Sequence, residues 1–324
     1  MFKTGVVHLP EMHELAHGEM VAYNLYRDAT PRPDHDQLSV LAFIAGQSKA
    51  ELGIAGHAGA PAPDTIYWFR WIAGHQVAVI AWIMLIEEIN QCRVGCSTPE
   101  TARARCVALL RLYSSMLVYT ASCSPAVYEN TIRRFMITYH PAFSATWALD
   151  YCRLKKYIKE WAKDAPQYAE VWRAYIDTVQ IHGKIGRRLI GNAASLLQLA
   201  RDTDEACKAR TPETDLAFTF DSFFLVKRTR VSTAQLWGQL TSRLCDIVVD
   251  CKLNGYCVEG GAFPAEFTGL PQRCWDELID NAVQASRLLR DPGAAPVRAS
   301  VHAATPAQAA PSASTLRGAQ GVDQ

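Results

Sequence analysis

The sequence has no long apolar run, no excess of one charge and no series of alternating strand patterns. Its most apolar segment, Val77 to Ile86, has only ten residues, which is too short to cross a bilayer and is typical of a buried core helix. Lysine and arginine total 33 against 32 aspartate and glutamate residues, so no surplus of positive charge predicts binding to nucleic acid or to an anionic membrane. We therefore expect neither partner.

Export signals and cysteine frameworks are also lacking. The first twenty residues contain no basic stretch followed by an apolar one, so we expect no signal peptide and a cytoplasmic protein. Ten cysteines are scattered without framework spacing, and we interpret them as reduced, mostly buried thiols. The pairs Cys92/Cys96 and Cys251/Cys257 have no second pair at metal-like spacing, so they do not predict a zinc site.

Helical patterns extend along most of the chain, without an internal repeat or a glycine-rich phosphate loop. We predict an all-α fold, a helical bundle in which residues 1–290 form one domain and residues 1–63 its N-terminal cap. Residues 291–324 are rich in Ala, Pro, Ser and Gly, and we predict a disordered tail. The predicted helices include 167 to about 201, 216–230 and 271–289.

A short motif near the N-terminus offers one alternative function. His13 to His17 reads HELAH, the HExxH pattern in which two histidines bind zinc and the glutamate acts as general base. Only twelve residues precede it, and no spaced third ligand is convincing, although Glu51 can be proposed. A zinc metalloprotease is therefore one alternative, and a solvated amphipathic first helix is the structural explanation.

The stretch from Tyr175 to Gly191 reads as one buried helix with two glycines near a histidine. Each interior glycine costs a helix about 1 kcal/mol relative to alanine, so Gly183 and Gly186 require a local reason. Gly186 lies one turn beyond His182 on nearly the same face. An imidazole beside a bare backbone patch suits the axial ligand of a large planar ring. The alternative is a core histidine on a closely packed helix.

A second histidine lies in an aromatic setting. The helix predicted from Ile66 to Asn90 is apolar on nearly all sides, and His75 is the ionisable residue at its middle. Trp71 and Trp82 share its face. Such a histidine is usually a satisfied core residue. An aromatic wall around one titratable group also describes a pocket for a flat substrate, with the histidine as acid or base.

Two adjacent arginines are candidates for binding a carboxylate. Arg133 and Arg134 precede a turn at His140 to Ser144 that Pro141 forces. A guanidinium can hold a carboxylate through two parallel hydrogen bonds. The alternative is a pair of solvated surface arginines.

The two histidine helices share their spacing with a known family. His182, Arg188, Ile190 and Gly191 have the pattern His-x5-Arg-x-Ile-Gly, which resembles the proximal haem-ligand helix of the tryptophan 2,3-dioxygenase superfamily. WIAGHQ, Trp71 to Gln76, resembles the distal helix of that family, in which an aromatic residue lies four positions before a His-Gln pair. Both motifs occur in the order of the family.

Other segments separate the chain from the dioxygenases of that family. Those enzymes follow the proximal helix with a Gly/Ser-rich loop, whereas NAASLLQLA after Gly191 is predicted to continue as helix. The distal helix also lacks the usual charged residues after the His-Gln pair. The segment from Arg133 to Tyr151 resembles the bacterial haem-dependent L-tyrosine hydroxylases of secondary metabolism, which include enzymes of antibiotic biosynthesis.

The resemblance implies a cofactor and roles for the residues that match. It implies haem b with His182 as the axial ligand of the iron, the other ring nitrogen of His182 hydrogen-bonded, Gly186 beside the ring and Arg188 paired with a propionate. His75 would lie on the distal side, where it assists cleavage of a peroxide O–O bond or takes a phenol proton.

The implied substrate is a free aromatic amino acid, packed against Trp71 or Trp82, with its carboxylate on Arg133 or Arg134. The implied reaction is hydroxylation of L-tyrosine to 3,4-dihydroxyphenylalanine with hydrogen peroxide or dioxygen. An indole or tryptophan 2,3-dioxygenase and a non-catalytic helical ligand-binding protein are further alternatives. The oxidant, the pathway and the number of subunits, including a homo-oligomer, stay open.

Overall fold

The computed structural model describes residues 6–8, 37–48, 62–191, 194, 196, 198, 213–229, 232–258 and 263–290. The all-α prediction is confirmed, because helices form nearly all of this part of the chain. The helices are α1 Gln37–Gly46, α2 Pro63–Arg93, α3 Pro99–Thr120, α4 Pro125–Tyr139, α5 Leu149–Ala162, α6 Ala169–Ile190, α7 Glu213–Phe223, α8 Thr233–Asn254, α9 Leu270–Asp276 and α10 Leu278–Arg290. Short 3₁₀ turns are Ala145–Trp147, Pro166–Tyr168 and Ala265–Phe267.

A small sheet accompanies the helices. Strand β1, Val6–His8, pairs antiparallel with β2, Lys227–Thr229. The sequence analysis predicted no strands, and strands of three residues are too short to show the alternation that indicates a sheet.

Helix starts follow local signals in the sequence. The Thr98 hydroxyl accepts a hydrogen bond from the Thr101 N–H at the start of α3. Ser232 forms a reciprocal capping box with Gln235 at the start of α8. These caps satisfy N–H groups that have no partner within the helix.

Helix α2 is the core of the bundle. It packs against α3, α5 and α8. It is the one helix in the described ranges that is long and apolar enough to cross a membrane, yet 89% of that window is buried within the protein. A second span would arise only if α3 and α4, which meet at 84°, acted together. Burial of α2 agrees with the core helix predicted around Val77 to Ile86.

Two predicted helices have wrong boundaries. Helix α6 ends at Ile190, because Gly191 adopts a φ of 62° that terminates the helix, whereas we predicted helix to about residue 201. The predicted helix over 271–289 is divided into α9 and α10 at Glu277, whose N–H donates to the Arg273 carbonyl. No proline or glycine marks this break, so the sequence pattern missed it.

The end of α7 is a left-handed turn at Leu225, which has a φ of 55°. The Val226 N–H donates to the Asp221 carbonyl over 2.7 Å, and the Leu225 N–H donates to the Ser222 carbonyl over 3.2 Å. This is the Schellman arrangement, with leucine where glycine is usual. The chain then enters β2, so the predicted helix to residue 230 is wrong.

Both histidine-bearing helices, α2 and α6, contact the C-terminal end of α3. A Cβ at Gly74 of α2 would come within 2.4 Å of Cγ2 of Thr120. Arg188 of α6 donates from Nη1 to the carbonyls of Ala121 and Cys123, over 2.7 and 2.9 Å. Helices α2 and α6 are therefore fixed against the same end of α3, while they make little contact with each other in the described chain.

Candidate functional site

His75, near the middle of α2, is a neutral imidazole with one ring nitrogen available. Its Nδ1 lies 2.7 Å from the Trp71 carbonyl. Because a carbonyl only accepts, Nδ1 carries the proton and Nε2 has a lone pair. The Phe224 ring stacks on the imidazole with centroids 4.3 Å apart and 14° between the planes, and the Trp71 ring lies 4.5 Å away. Nε2 has no hydrogen-bond partner among the described residues.

Burial sets the charge state of His75. Desolvation lowers its pKa to about 4, the hydrogen bond to Trp71 opposes this, and the charge of a protonated His182 lowers the pKa further. His75 is therefore neutral near pH 7 and can accept a proton there. His182 is thus close enough for its charge to act on His75, although the two histidines are roughly a hundred residues apart in sequence.

His182 is exposed, which corrects the prediction of a buried helix. Helix α6 is amphipathic: it buries Tyr175, Thr178, Ile181 and Leu189 and leaves His182 accessible to solvent. Desolvation by the surrounding protein nevertheless lowers the pKa of His182. Neither ring nitrogen has a recorded hydrogen bond within the described residues, so the expected partner of His182 is not among them.

The glycines beside His182 are not explained by close packing. Outside its own helix backbone, a Cβ at Gly186 would meet no atom of the described residues within 4 Å, and at Gly183 the nearest such atom is Arg187 Nη1 at 3.8 Å. Gly74 differs, because there a Cβ would clash with α3. The backbone one turn beyond His182 is therefore open to a flat group.

Acid is expected to destabilise the fold through His75. The pKa of His75 falls from 6.5 to about 4 on folding, so between these pH values the unfolded chain binds more protons than the folded protein. The contribution of His75 to the free energy of unfolding is therefore fully present above pH 6.5. It is lost as the pH falls to 4, and the loss is at most about 3 kcal/mol. Chemical denaturation at a series of pH values measures this decline.

The control for this prediction is the variant His75→Gln, which cannot titrate. Burial also lowers the pKa values of His140 and His182, so some decline with acid should persist in the variant, but it should be shallower. An equally steep decline would assign the acid sensitivity to the other two histidines.

Gln76 and Phe224, which we did not predict as site residues, place an aromatic ring over His75. Gln76 is fully buried, and its Nε2 donates to the Phe224 carbonyl over 3.0 Å. Phe224 packs in turn against Phe143 and Phe223. Gln76 was visible as the neighbour of His75 in WIAGHQ, whereas nothing in the sequence FDSFF indicates which phenylalanine reaches the histidine.

The two predicted substrate-packing tryptophans occupy different environments. Trp71 is half-buried and contacts His75 and Tyr128, with ring centroids 4.5 and 5.8 Å away. Its Nε1 is buried and has no hydrogen-bond partner in the described chain. Trp82 is buried two helical turns beyond His75 and packs edge-on against Tyr113. The structure thus brings Trp71 to His75 and places Trp82 in the core.

The two adjacent arginines, Arg133 and Arg134, also lie in different environments. Helix α4 contains a π-helical turn, Tyr128–Arg133, of a type often found at functional sites. Arg133 is buried and donates to Glu129 over 3.2 Å and to the Ala194 carbonyl over 2.9 Å, whereas Arg134 is exposed. Both terminal nitrogens of the predicted Arg133 fork are therefore engaged. Its Nε is buried without a hydrogen-bond partner among the described residues.

Arg188 has a structural role that the sequence did not indicate. Besides binding the end of α3, its guanidinium lies over the Phe267 ring at 5.4 Å and 3.9 Å from the Glu266 carboxylate. These contacts anchor α6 beside α3. The contact of Arg188 with a haem propionate stays a prediction.

The zinc alternative has no site in the described part of the chain. No three His, Cys, Asp or Glu side chains there are grouped to hold a metal ion, and Cys92, Cys96, Cys251 and Cys257 form no disulfide in that part of the chain. His13 to His17 and Glu51 lie outside the described residues, so the metalloprotease stays a prediction.

Comparisons of the sequence with known protein families and curated proteins found no match. No model of a known protein family matches the chain, and no curated protein sequence is significantly similar to it. A function therefore has to be inferred from the residues and geometry described above.

Proposed function

We propose that the protein is a haem-dependent oxygenase that hydroxylates a free aromatic amino acid, L-tyrosine, to 3,4-dihydroxyphenylalanine. The observation that supports it is the approach of His75 to His182, two histidines that separate motifs had predicted as distal and proximal groups. Their helices are fixed on one end of α3 and make little contact with each other.

The residues around His182 fit a haem. The imidazole is accessible, and its lowered pKa favours the neutral form that ligates iron. Gly186 leaves space where any other residue would place a Cβ. His182 would hold the iron and Gly186 would admit the ring. Bound haem would supply the activation of peroxide or dioxygen.

The protein's own groups orient the substrate and move its proton. Trp71 packs against the aromatic ring, and the unengaged Nε–H of Arg133 donates to the carboxylate. The unprotonated Nε2 of His75 accepts the phenol proton. With hydrogen peroxide, one oxygen atom enters an aromatic C–H bond and the other leaves as water, so no further reductant is needed.

The end of α6 bears on the choice between tyrosine and tryptophan. Helix α6 ends at Ile190, but Leu196 and Gln198 are again helical. The segment after Gly191 therefore still differs from the Gly/Ser-rich loop of the tryptophan 2,3-dioxygenases. Tyrosine is favoured by the similarity of the segment from Arg133 to Tyr151.

Product analysis tests the proposal. Haem-reconstituted protein is given L-tyrosine or L-tryptophan, with hydrogen peroxide or with dioxygen and a reductant, and haem alone is the control. We expect 3,4-dihydroxyphenylalanine from tyrosine. Ring opening of tryptophan would support the dioxygenase instead, and bound haem without turnover would support a non-catalytic binding protein. Absence of a Soret band after reconstitution would contradict all haem-based functions.

A further inference from the structure

We propose that Gln76 and Phe224 are positioning residues that hold the His75 imidazole in one orientation and one tautomer. A histidine side chain has two rotatable bonds. The hydrogen bond from Nδ1 to the Trp71 carbonyl fixes one edge of the ring but does not by itself fix the ring plane. The stacked Phe224 ring, 4.3 Å away and inclined by 14°, supplies the second restraint.

The Phe224 ring is itself held in place by its neighbours. It is almost completely buried and contacts Phe220 at 4.7 Å, Phe223 at 4.9 Å and Phe143 at 6.1 Å between centroids. Rotation of Phe224 away from His75 would open a cavity in this cluster, which costs free energy in a close-packed core. Packing within the aromatic cluster therefore keeps Phe224 in contact with the imidazole.

Gln76 fixes the backbone of Phe224 relative to α2. Its amide donates to the Phe224 carbonyl over 3.0 Å, and a buried carbonyl without a partner costs about 1–3 kcal/mol. The left-handed turn at Leu225 directs the chain away immediately afterwards. Because Gln76 follows His75 in sequence, the same turn of α2 carries both the imidazole and the group that places its stacking partner.

The consequence is that Nε2 is presented as a proton acceptor in a constant direction. Phe224 covers one side of the imidazole, and Trp71 lies against it at 48°. The positioning follows from these contacts alone. Its use in removing a phenol proton rests on the proposed function.

Nitrogen NMR of the haem-free protein labelled at histidine tests the positioning directly. In the unaltered protein we expect the His75 signals of a single Nδ1–H tautomer and titration near pH 4. In Phe224→Leu we expect an Nε2–H population and a pKa shifted from about 4 toward 6.5. Gln76→Leu should shift both properties in the same direction. The matched control is Tyr139→Leu, which removes a ring that packs on Phe223 and makes no ring contact with Phe224 or His75 in the described chain, and it should leave both unchanged.

The outcomes separate positioning from general packing. If Phe224→Leu does not fold, Phe224→Met is the second variant, because methionine fills the space without a ring that stacks. Unchanged tautomer and pKa in a folded variant would overturn the proposal, as would equal changes in Tyr139→Leu. Since these spectra are recorded without haem, their failure is distinct from failure of the reconstituted protein to bind haem or to hydroxylate tyrosine.

Discussion

Substitution of His182 by alanine is expected to abolish the Soret band of the haem-reconstituted protein, whereas His75→Ala should keep the band and lose turnover. The difference follows from their proposed roles, since an axial ligand bond holds the iron, while a positioned base acts on the substrate. Loss of such a base typically lowers turnover by about 10²- to 10⁴-fold. Absorption spectra and product formation from tyrosine measure the two effects separately.

His140→Ala is the matched control for this pair of variants. His140 is partly buried, and its Nδ1 accepts the Ala142 N–H within the turn after α4, so its removal should change neither the Soret band nor turnover. Because the His182 ring is accessible, free imidazole added to His182→Ala should enter the vacated space and restore absorption. A Soret band retained by His182→Ala but lost by His75→Ala would reverse the proposed roles.

Local patterns sufficed to predict that most of the helices exist and to single out the two histidines as candidates. Start signals such as Thr98 and Ser232 act over one helical turn, and the glycine beside His182 is a property of one helix face. Leu225 shows where such patterns fail, because backbone hydrogen bonds from Val226 to Asp221 and from Leu225 to Ser222 hold this leucine in a left-handed turn that its own preference disfavours. The break at Glu277 is likewise unmarked in the sequence.

The remaining parts of the site depend on pairs of residues that are distant in sequence. Gln76 meets the Phe224 carbonyl 148 residues later, and no periodicity within either helix indicates this pairing. The same reason explains why Arg133 and Arg134 were indistinguishable, since burial of one depends on packing of α4 against other helices. The sequence could name candidate chemical groups, but tertiary packing decides which of them lie together.

Asp250→Ala is expected to destabilise the protein by about 3–5 kcal/mol, because it leaves a buried positive charge without its partner. Arg70 of α2 is fully buried, and its Nε lies 2.7 Å from Asp250 Oδ2 on α8. Burial by itself lowers the pKa of Arg70, but the charge of Asp250 raises it above the ordinary value. Arg70 nevertheless stays charged when the carboxylate is removed, because a guanidinium is in practice never deprotonated in a protein. Chemical denaturation at neutral pH measures the loss.

Two comparisons isolate the buried charge as the cause. Glu160→Ala removes one partner of the exposed Lys156–Glu160 pair, and it should change the free energy of unfolding by less than about 1 kcal/mol. The double variant Arg70→Met with Asp250→Leu should recover part of the loss, because apolar residues of similar volume often replace a buried ion pair at little cost. A loss below about 1 kcal/mol for Asp250→Ala would contradict the prediction.

Recovery in the double variant should be incomplete, since the other hydrogen bonds of Arg70 also disappear. Its guanidinium donates to Ser122 Oγ and to the carbonyls of Gly255 and Tyr256, over 3.0, 2.8 and 2.8 Å. These contacts join the ends of α3 and α8 to α2. The junction lies at Arg70, five residues before His75. A folded Asp250→Ala protein that still binds haem but loses turnover would show that this junction maintains the position of His75, because His182 belongs to α6.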